Sequence, residues 1–228
     1  MVSKNIGFLK IAFVVSATMS FIVGEIAIAQ SVTPINPSLV ATQGKTAQDF
    51  VPKGWTIQDK VEGDINSDNK PDTVLTLIET GTKDERARAL VILLKRPDGK
   101  LQRLAIGGKL LLCSSCGGAL SGPDGPSANI EIKKGVITVS QLSGSRFAYG
   151  NVHRFWIDKS SKRVVLIGKD IREFDRGNGD ETLTSNNYLT GQKIVEKYQA
   201  QKLISTKKST IPKSKQFIEA INIEADFQ

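Results

Sequence analysis

The chain contains few of the residue types on which most enzyme active sites depend. Its 228 residues include two cysteines and a single histidine, His153. A Gly-x-Ser-x-Gly motif is absent and His153 lies in a strand-like run, so nothing indicates a hydrolase triad. The spacing of Cys113, Cys116 and His153 fits no recognised zinc motif. We therefore predict no catalytic residues, and a zinc site is disfavoured.

The chain also lacks an apolar run long enough to cross a membrane. Lys4 and Lys10 precede an apolar stretch, 11–24, that is shorter than the ~20 residues of a membrane helix. Ala27-Ile28-Ala29 then supplies the small-x-small pattern that signal peptidase recognises. We predict a signal peptide over 1–29, a periplasmic or secreted location, and no membrane span after cleavage.

Acidic residues are outnumbered, with 31 lysines and arginines against 23 aspartates and glutamates. This balance suits a protein that works near an anionic envelope polymer. The lysines are dispersed and accompany no nucleic-acid-binding motif, so nucleic acid is not an expected partner. We interpret the densest stretch as a solvated face or a frayed tail. It contains Lys202, Lys207, Lys208, Lys213 and Lys215.

About 200 residues remain after the leader, enough for one core, and no change of composition divides them. Residues 30–44 are rich in Ser, Thr, Pro and Asn and are predicted to form a disordered spacer. Short β-branched runs separated by turns predict a mostly β domain over 45–200 with little helix, a single antiparallel meander that is sandwich-like or a partly open barrel. Residues 201–228 are predicted to be a partly ordered C-terminal extension.

One segment, 83–95, has two interpretations. Thr82 and Glu85 form a capping-box pattern and apolar residues follow at helical spacing, which favours a helix. The run from Leu90 to Leu94 is continuously apolar, however, and leads directly into a Pro-Asp-Gly turn. We favour a strand over 88–95, because a strand that is covered on both faces accepts such a run.

Side-chain oxygens recur at regular spacing between Gly63 and Thr73. Calcium takes six to eight oxygens at about 2.3–2.6 Å, which this spacing could supply in part. Asn69 stands where such loops use glycine, and asparagine also tolerates the left-handed conformation. The competing interpretation is a loop held by Asx turns. The predicted ligands of a structural calcium ion are Asp64, Asn66, Asp68, the Lys70 carbonyl and Asp72.

The pattern Asp-x-Asn-x-Asp-x-x-x-Asp, followed by the apolar run 73–77, resembles the calcium loops of FG-GAP and VCBS-type repeats. Leu75 replaces the bidentate glutamate of an EF-hand, which excludes that motif. The loop occurs once, so a propeller of repeats is not predicted. Residues 55–200 also resemble a set of exported, uncharacterised bacterial proteins with one such loop. This resemblance implies an exported β-rich domain and no particular activity.

Both cysteines lie in Cys113-Ser114-Ser115-Cys116. Export favours a disulfide between Cys113 and Cys116, whereas a redox-active pair or a metal site are the alternatives. An envelope enzyme, either a thiol oxidoreductase that uses this pair or an unrecognised hydrolase, is therefore the second functional hypothesis. The first hypothesis is an exported non-enzymatic β-domain, stabilised by calcium, that binds an envelope component or a protein partner.

Basic and aromatic residues concentrate between 146 and 156. Arg146, Tyr149, Arg154 and Trp156 could form a surface for glycans or acidic polymers. Alternation along a strand places Arg154 and Trp156 on the same face, where a guanidinium can stack on an indole. The competing and favoured interpretation is that Trp156 belongs to the core and that Arg154 lies at the edge of the sheet.

Overall fold

Two antiparallel sheets form the fold in the computed structural model, which describes residues 32–120 and 128–227. The predicted signal peptide lies outside the described residues. The first sheet contains β1 (Gln43–Gly44), β2 (Trp55–Gly63), β3 (Asp72–Glu79), β4 (Arg88–Lys95) and β5 (Leu101–Gly107). The second contains β6 (Asn129–Lys133), β7 (Val136–Gly144), β8 (Phe147–Ile157), β9 (Val164–Asp175), β10 (Glu181–Asn187), β11 (Gln192–Gln199), β12 (Lys202–Thr210) and β13 (Gln216–Phe217).

Most strands pair with the strand before or after them in sequence; the exceptions are β1, which pairs with β5, and β13, which pairs with β9. The five-stranded sheet has the order β1-β5-β4-β3-β2, and the eight-stranded sheet runs β12-β11-β10-β9-β8-β7-β6, with β13 pairing β9. The predicted antiparallel meander is therefore confirmed. The sheets form a sandwich-like arrangement and do not close into a barrel. Tight turns between consecutive strands make this the simplest way to pair them.

Helix is confined to short 3₁₀ segments in the described part of the chain, as predicted. They are Pro37–Leu39, Ala47–Phe50, Gly118–Leu120, Ile218–Ala220 and Ile223–Phe227. Within the described ranges, no helix is long and apolar enough to span a membrane.

Strand β4 is buried on both faces, which confirms the strand interpretation of 88–95. Leu90 and Ile92 belong to the cluster that lies between the sheets. Val91 and Leu93 belong to a second cluster, on the opposite face of the five-stranded sheet. Because successive strand residues point to opposite faces, a continuous apolar run is what a strand with two covered faces requires.

The outer face of the five-stranded sheet is covered by the N-terminal segment. Ile35, Val40 and Phe50 are buried there against the sheet. Gln43–Gly44 pairs with β5, and Arg103 donates hydrogen bonds to the carbonyls of this segment. The prediction of a disordered spacer over 30–44 is thus wrong for residues 32–44. Its apolar side chains are few and widely spaced, and an exposed apolar sheet face recruits them.

The C-terminal segment closes the core between the sheets. Ile218, Ile221 and Ile223 are buried, and Ile218 and Ile221 join the inter-sheet cluster. The predicted domain boundary at 200 falls in the tight turn between β11 and β12, so the sheet continues across it. Residues 201–227 are therefore part of the domain rather than an extension. Their apolar residues are too sparse to produce a periodic pattern.

Phe50 provides a test of the N-terminal cover. Replacing it with alanine removes a fully buried ring and leaves a cavity against the five-stranded sheet. We expect Phe50→Ala to lower the free energy of unfolding by about 3–5 kcal/mol in a denaturant titration. Leu39→Ala is the matched control, since Leu39 is 63% exposed. A disordered segment would make both substitutions equally harmless.

Candidate functional site

The acidic loop joins β2 to β3 and is organised by Asp64. One carboxylate oxygen of Asp64 accepts hydrogen bonds from the amides of Ser67 and Asp68, at 2.7 and 3.2 Å. The other accepts from the amide of Asn69 at 2.9 Å. Ser67 and Asn69 have φ values of 64° and 63°. Asn69 thus adopts the left-handed conformation that asparagine tolerates at this position.

Asp72 attaches this loop to the neighbouring strand. Its carboxylate is fully buried and accepts from the amide of Ile65 at 3.0 Å and from that of Lys95 at 2.8 Å. Burial raises the pKa of Asp72, and the charges of Asp68 and Asp64 raise it further, against the two amide hydrogen bonds. Three carboxylates therefore interact within one loop.

The remaining loop oxygens also accept amide hydrogen bonds. Asn66 accepts from the amide of Asp68, and Asp68 accepts from that of Lys70, both at 2.9 Å. Within 32–120 and 128–227, no three His, Cys, Asp or Glu side chains are grouped to hold a metal. Asx turns thus account for the contacts of the loop, and a calcium ion bound by Asp64, Asn66, Asp68, Lys70 and Asp72 stays a prediction.

Cys113 and Cys116 lie at disulfide distance, with 5.0 Å between their Cα atoms. Cys113 is buried and Cys116 is exposed. The buried Ser114 between them donates its hydroxyl to the carbonyl of Asp84 at 2.6 Å. The amide of Gly144, at the end of β7, donates to the carbonyl of Gly117. The cysteine loop therefore connects the β3–β4 loop of one sheet to a strand of the other.

A buried polar cluster that the sequence does not reveal contains His153, Lys169 and Asp226. The Asp226 carboxylate lies 3.0 Å from His153 Nε2 and 2.5 Å from Lys169 Nζ. His153 is fully buried, at 1% exposure. Its Nδ1 has no hydrogen-bond partner among the described residues, so no nucleophile completes a triad there. Asp226 is far away in sequence, and only the docking of the C-terminal segment brings it to β8.

The four residues of the predicted ligand surface do not converge. Arg154 forms an ion pair with Asp170 at 2.6 Å. Trp156 is 37% exposed and therefore does not belong to the core, and β8 is an interior strand, so Arg154 does not lie at the edge of the sheet. The competing interpretation is wrong for both residues. Tyr149 lies on the other face of β8 by strand alternation. Arg146 lies before β8 and binds Asp175 through two 3.0 Å hydrogen bonds.

Strands β10, β11 and β12 extend the eight-stranded sheet. None of their residues, all of which lie in the described part of the chain, is fully buried. The strand register places four lysines on the face that continues the core-facing side of β8. Their side chains form no ion pair with any residue in the described part of the chain. We call this surface the lysine face: Lys193, Lys197, Lys202 and Lys207.

The opposite face of the eight-stranded sheet carries ion pairs on the adjoining strands β8, β9 and β10. Arg172 there contacts Glu181 at 2.6 Å, and the Arg154–Asp170 pair lies on the same side. Arg154 and Arg172 are therefore ion-paired on that face of β8, β9 and β10, whereas the four lysines of the lysine face form no ion pair with the described residues. The sequence predicted a solvated face or a frayed tail for the stretch that contains Lys202 and Lys207, and the β11–β12 pairing shows that both lysines lie in an exposed strand.

Comparison with protein-family models, with curated proteins and with solved structures finds no match to this chain. The resemblance of the acidic loop to FG-GAP and VCBS-type calcium loops accordingly remains a prediction.

The buried Asp226 predicts a pH dependence of stability. Burial acts to raise the pKa of Asp226, but contacts with His153 and Lys169 outweigh it and hold this pKa below the usual value. A lowered pKa means that stability is present above the unfolded value of ~3.9 and is lost as the pH falls through the folded pKa. We expect the free energy of unfolding to decrease between about pH 5 and pH 3.

Asp226→Asn should make that decrease less steep in urea titrations across the same pH range. Phe50→Ala is the control, because it destabilises the protein without removing a titrating group. An equal pH dependence in the wild type and in Asp226→Asn would contradict this assignment.

Proposed function

We propose that this protein is an exported, non-enzymatic β-sandwich domain that binds an anionic polymer of the cell envelope through its lysine face. Calcium bound at the acidic loop stabilises the fold in this proposal. The observation that supports it most is the set of four lysines without ion-pair partners among the described residues, on strands that bury no residue. An acidic protein partner is the alternative ligand.

The lysines are close enough to act together on one ligand. Lys193 and Lys197 lie four residues apart on β11, or about 13 Å. Lys207 belongs to β12 and pairs with Val195, midway between them, so each neighbour is about 8 Å away. The ~8 Å separation of Lys207 from Lys193 and from Lys197 is comparable to the Debye length of about 8 Å at physiological salt, so Lys207 and these two lysines repel one another. A bound polyanion replaces this repulsion by attraction.

A purely solubilising role would not require this arrangement. Soluble surfaces usually mix charges of both signs, as the opposite face of the sheet does on β8, β9 and β10 with the Arg154–Asp170 and Arg172–Glu181 pairs. The side chains of β10–β12 also add little to the core. A segment that costs conformational entropy and buries little apolar surface is best explained by a partner that covers it.

The enzyme alternative has less geometric support. A thiol oxidoreductase that uses a Cys-x-x-Cys pair needs an accessible, reactive thiolate, whereas Cys113, the first cysteine of the pair, is buried. A hydrolase needs a nucleophile beside its histidine, whereas the contacts of His153 are with Asp226 and Phe155. Binding is therefore the function that the geometry favours.

Calcium at the acidic loop would act on the junction of the two sheets. A Cβ on Gly63 would meet the side chain of Ile132, so β2 and β6 approach closely there. A Cβ on Gly135, in the β6–β7 turn, would lie 3.3 Å from the carbonyl of Ile65 in the loop. A cation between Asp64, Asp68 and Asp72 would offset their mutual repulsion and hold this corner together.

The calcium proposal predicts a change in thermal stability. With a dissociation constant of ~10⁻⁴–10⁻³ M, 10 mM calcium should stabilise the protein by about 1.4–2.7 kcal/mol and raise its Tm by several degrees. Asp64→Asn with Asp68→Asn should abolish the response, and magnesium at the same concentration is the control. An unchanged Tm in calcium would contradict the calcium proposal.

The polymer proposal predicts a specific loss of binding. Replacing Lys193, Lys197, Lys202 and Lys207 with glutamine should weaken binding to a carboxylate polymer, such as polygalacturonate or polyglutamate, by at least about tenfold at low salt. Tm should stay the same or rise, because repulsion is removed. The measurement is binding by isothermal calorimetry at two salt concentrations, where wild-type affinity should fall with salt.

A matched variant separates the lysine face from net charge alone. Lys45, Lys53, Lys100 and Lys159 are exposed and lie elsewhere, so replacing all four with glutamine changes the net charge equally. This control should retain most of the wild-type affinity. Equal losses in the two quadruple variants would reduce the binding to a non-specific charge effect and contradict the proposal.

A further inference from the structure

An open groove adjoins the lysine face at the end where β8 begins. It has a volume of about 370 Å³, within the ~300–1,000 Å³ range of small-molecule sites. Cross-strand pairs connect Tyr149 to Glu173, Glu173 to Thr182, and Thr182 to Lys197, so the groove and the lysine face occupy the same side of the sheet. We call this site the aromatic groove; the residues that line it include Phe147, Tyr149, Glu173, Thr182, Lys197 and Ile204.

Phe147 gives the groove an exposed aromatic ring that is held in position. The ring is 61% exposed, and the guanidinium of Arg146 lies over it at 5.4 Å from its centroid. Arg146 is itself fixed by its two hydrogen bonds to Asp175. One side of the ring is thus supported and the other is available for stacking. A ring held in this way loses little entropy when a ligand stacks on it.

The polar side chains of the groove are available for hydrogen bonds. Glu173, Thr182 and Lys197 form no side-chain hydrogen bond or ion pair with the described residues. They offer an acceptor, a hydroxyl and a donor side by side across three neighbouring strands. Ile204, at 58% exposure, adds apolar surface beside them. An apolar platform flanked by a few convergent polar groups is the usual composition of a ligand site.

We propose that the aromatic groove binds a sugar ring of an acidic polysaccharide, whose carboxylates are held by the lysine face. This inference rests on the proposed function and names the chemical class of the polymer. The C–H face of a pyranose stacks on Phe147, and its hydroxyls donate to Glu173 and accept from Lys197. The acidic groups of the same polymer extend along β11 and β12.

An acidic peptide fits these observations less well. The Glu173 carboxylate can accept hydrogen bonds from sugar hydroxyls, whereas the ionised carboxylates of acidic peptide side chains have no hydrogen to donate. A peptide also offers one backbone donor per residue and no ring that must stack, so the exposed and fixed Phe147 would have no role. The charge of the lysine face alone does not distinguish the two polymers, but the groove does.

The test compares two carboxylate polymers that differ in the presence of a sugar ring. The full-length protein and its variants are titrated with polygalacturonate and with polyglutamate. We expect Phe147→Ala to weaken binding of polygalacturonate about three- to tenfold and to leave binding of polyglutamate unchanged. Phe147→Tyr retains a ring and should bind as the wild type does. Trp156→Ala removes an exposed aromatic side chain outside the groove and should have no effect.

The possible outcomes distinguish failure of the sugar site from failure of the proposed function. Lysine-dependent binding of both polymers with no selective effect of Phe147→Ala overturns the sugar site and leaves the proposed function standing. Binding of polyglutamate alone assigns the lysine face to an acidic peptide and also overturns the sugar site. Absence of binding to both polymers overturns the sugar site and the proposed function together. Because Phe147 is exposed, its substitution should leave Tm unchanged, and a melting curve verifies this.

Discussion

The burial of the five-stranded sheet on both faces is the constraint on which the rest of this structure depends. Leu90 and Ile92 require one cover, and Val91 and Leu93 require another. The eight-stranded sheet and the C-terminal segment supply the first, and the N-terminal segment supplies the second. An apolar sheet face left in water would lose roughly 25 cal/mol for every Å² exposed, so these segments are held in place although they lack regular patterns.

The two sheets differ in size, and this difference gives the molecule its candidate binding surface. Strands β6 to β9 supply the residues of the eight-stranded sheet that pack against the smaller one, whereas β10, β11 and β12 contain no fully buried residue among those described. The core-facing side of β8 therefore continues, strand by strand, into a solvated face. The lysine face and the aromatic groove lie on this solvated face, which the five-stranded sheet does not cover and which a ligand could cover instead.

Local features of the sequence were sufficient for the fold class. β-branched runs and Gly-containing turns predicted the meander, the apolar run Leu90–Leu94 predicted a strand covered twice, and asparagine at position 69 was compatible with a left-handed residue. The prediction of a disordered spacer was wrong over residues 32–44, because Ile35 and Val40 are isolated in sequence and find their partners only on a distant sheet. Hydrophobic periodicity can be detected along a continuous strand or helix, whereas an isolated buried side chain produces no periodic pattern.

The sequence by itself determined that this is a β-rich chain with an Asx-rich loop at Asp64–Asp72 and a cysteine pair close enough to bond, because each depends on residues a few positions apart. Only the tertiary structure decided that Asp226 meets His153, that Arg146 holds Phe147 through Asp175, and that the lysines of β11 and β12 share one face. These contacts join residues that are distant in sequence or depend on strand register. Register is set by pairing across the whole sheet rather than by any one segment.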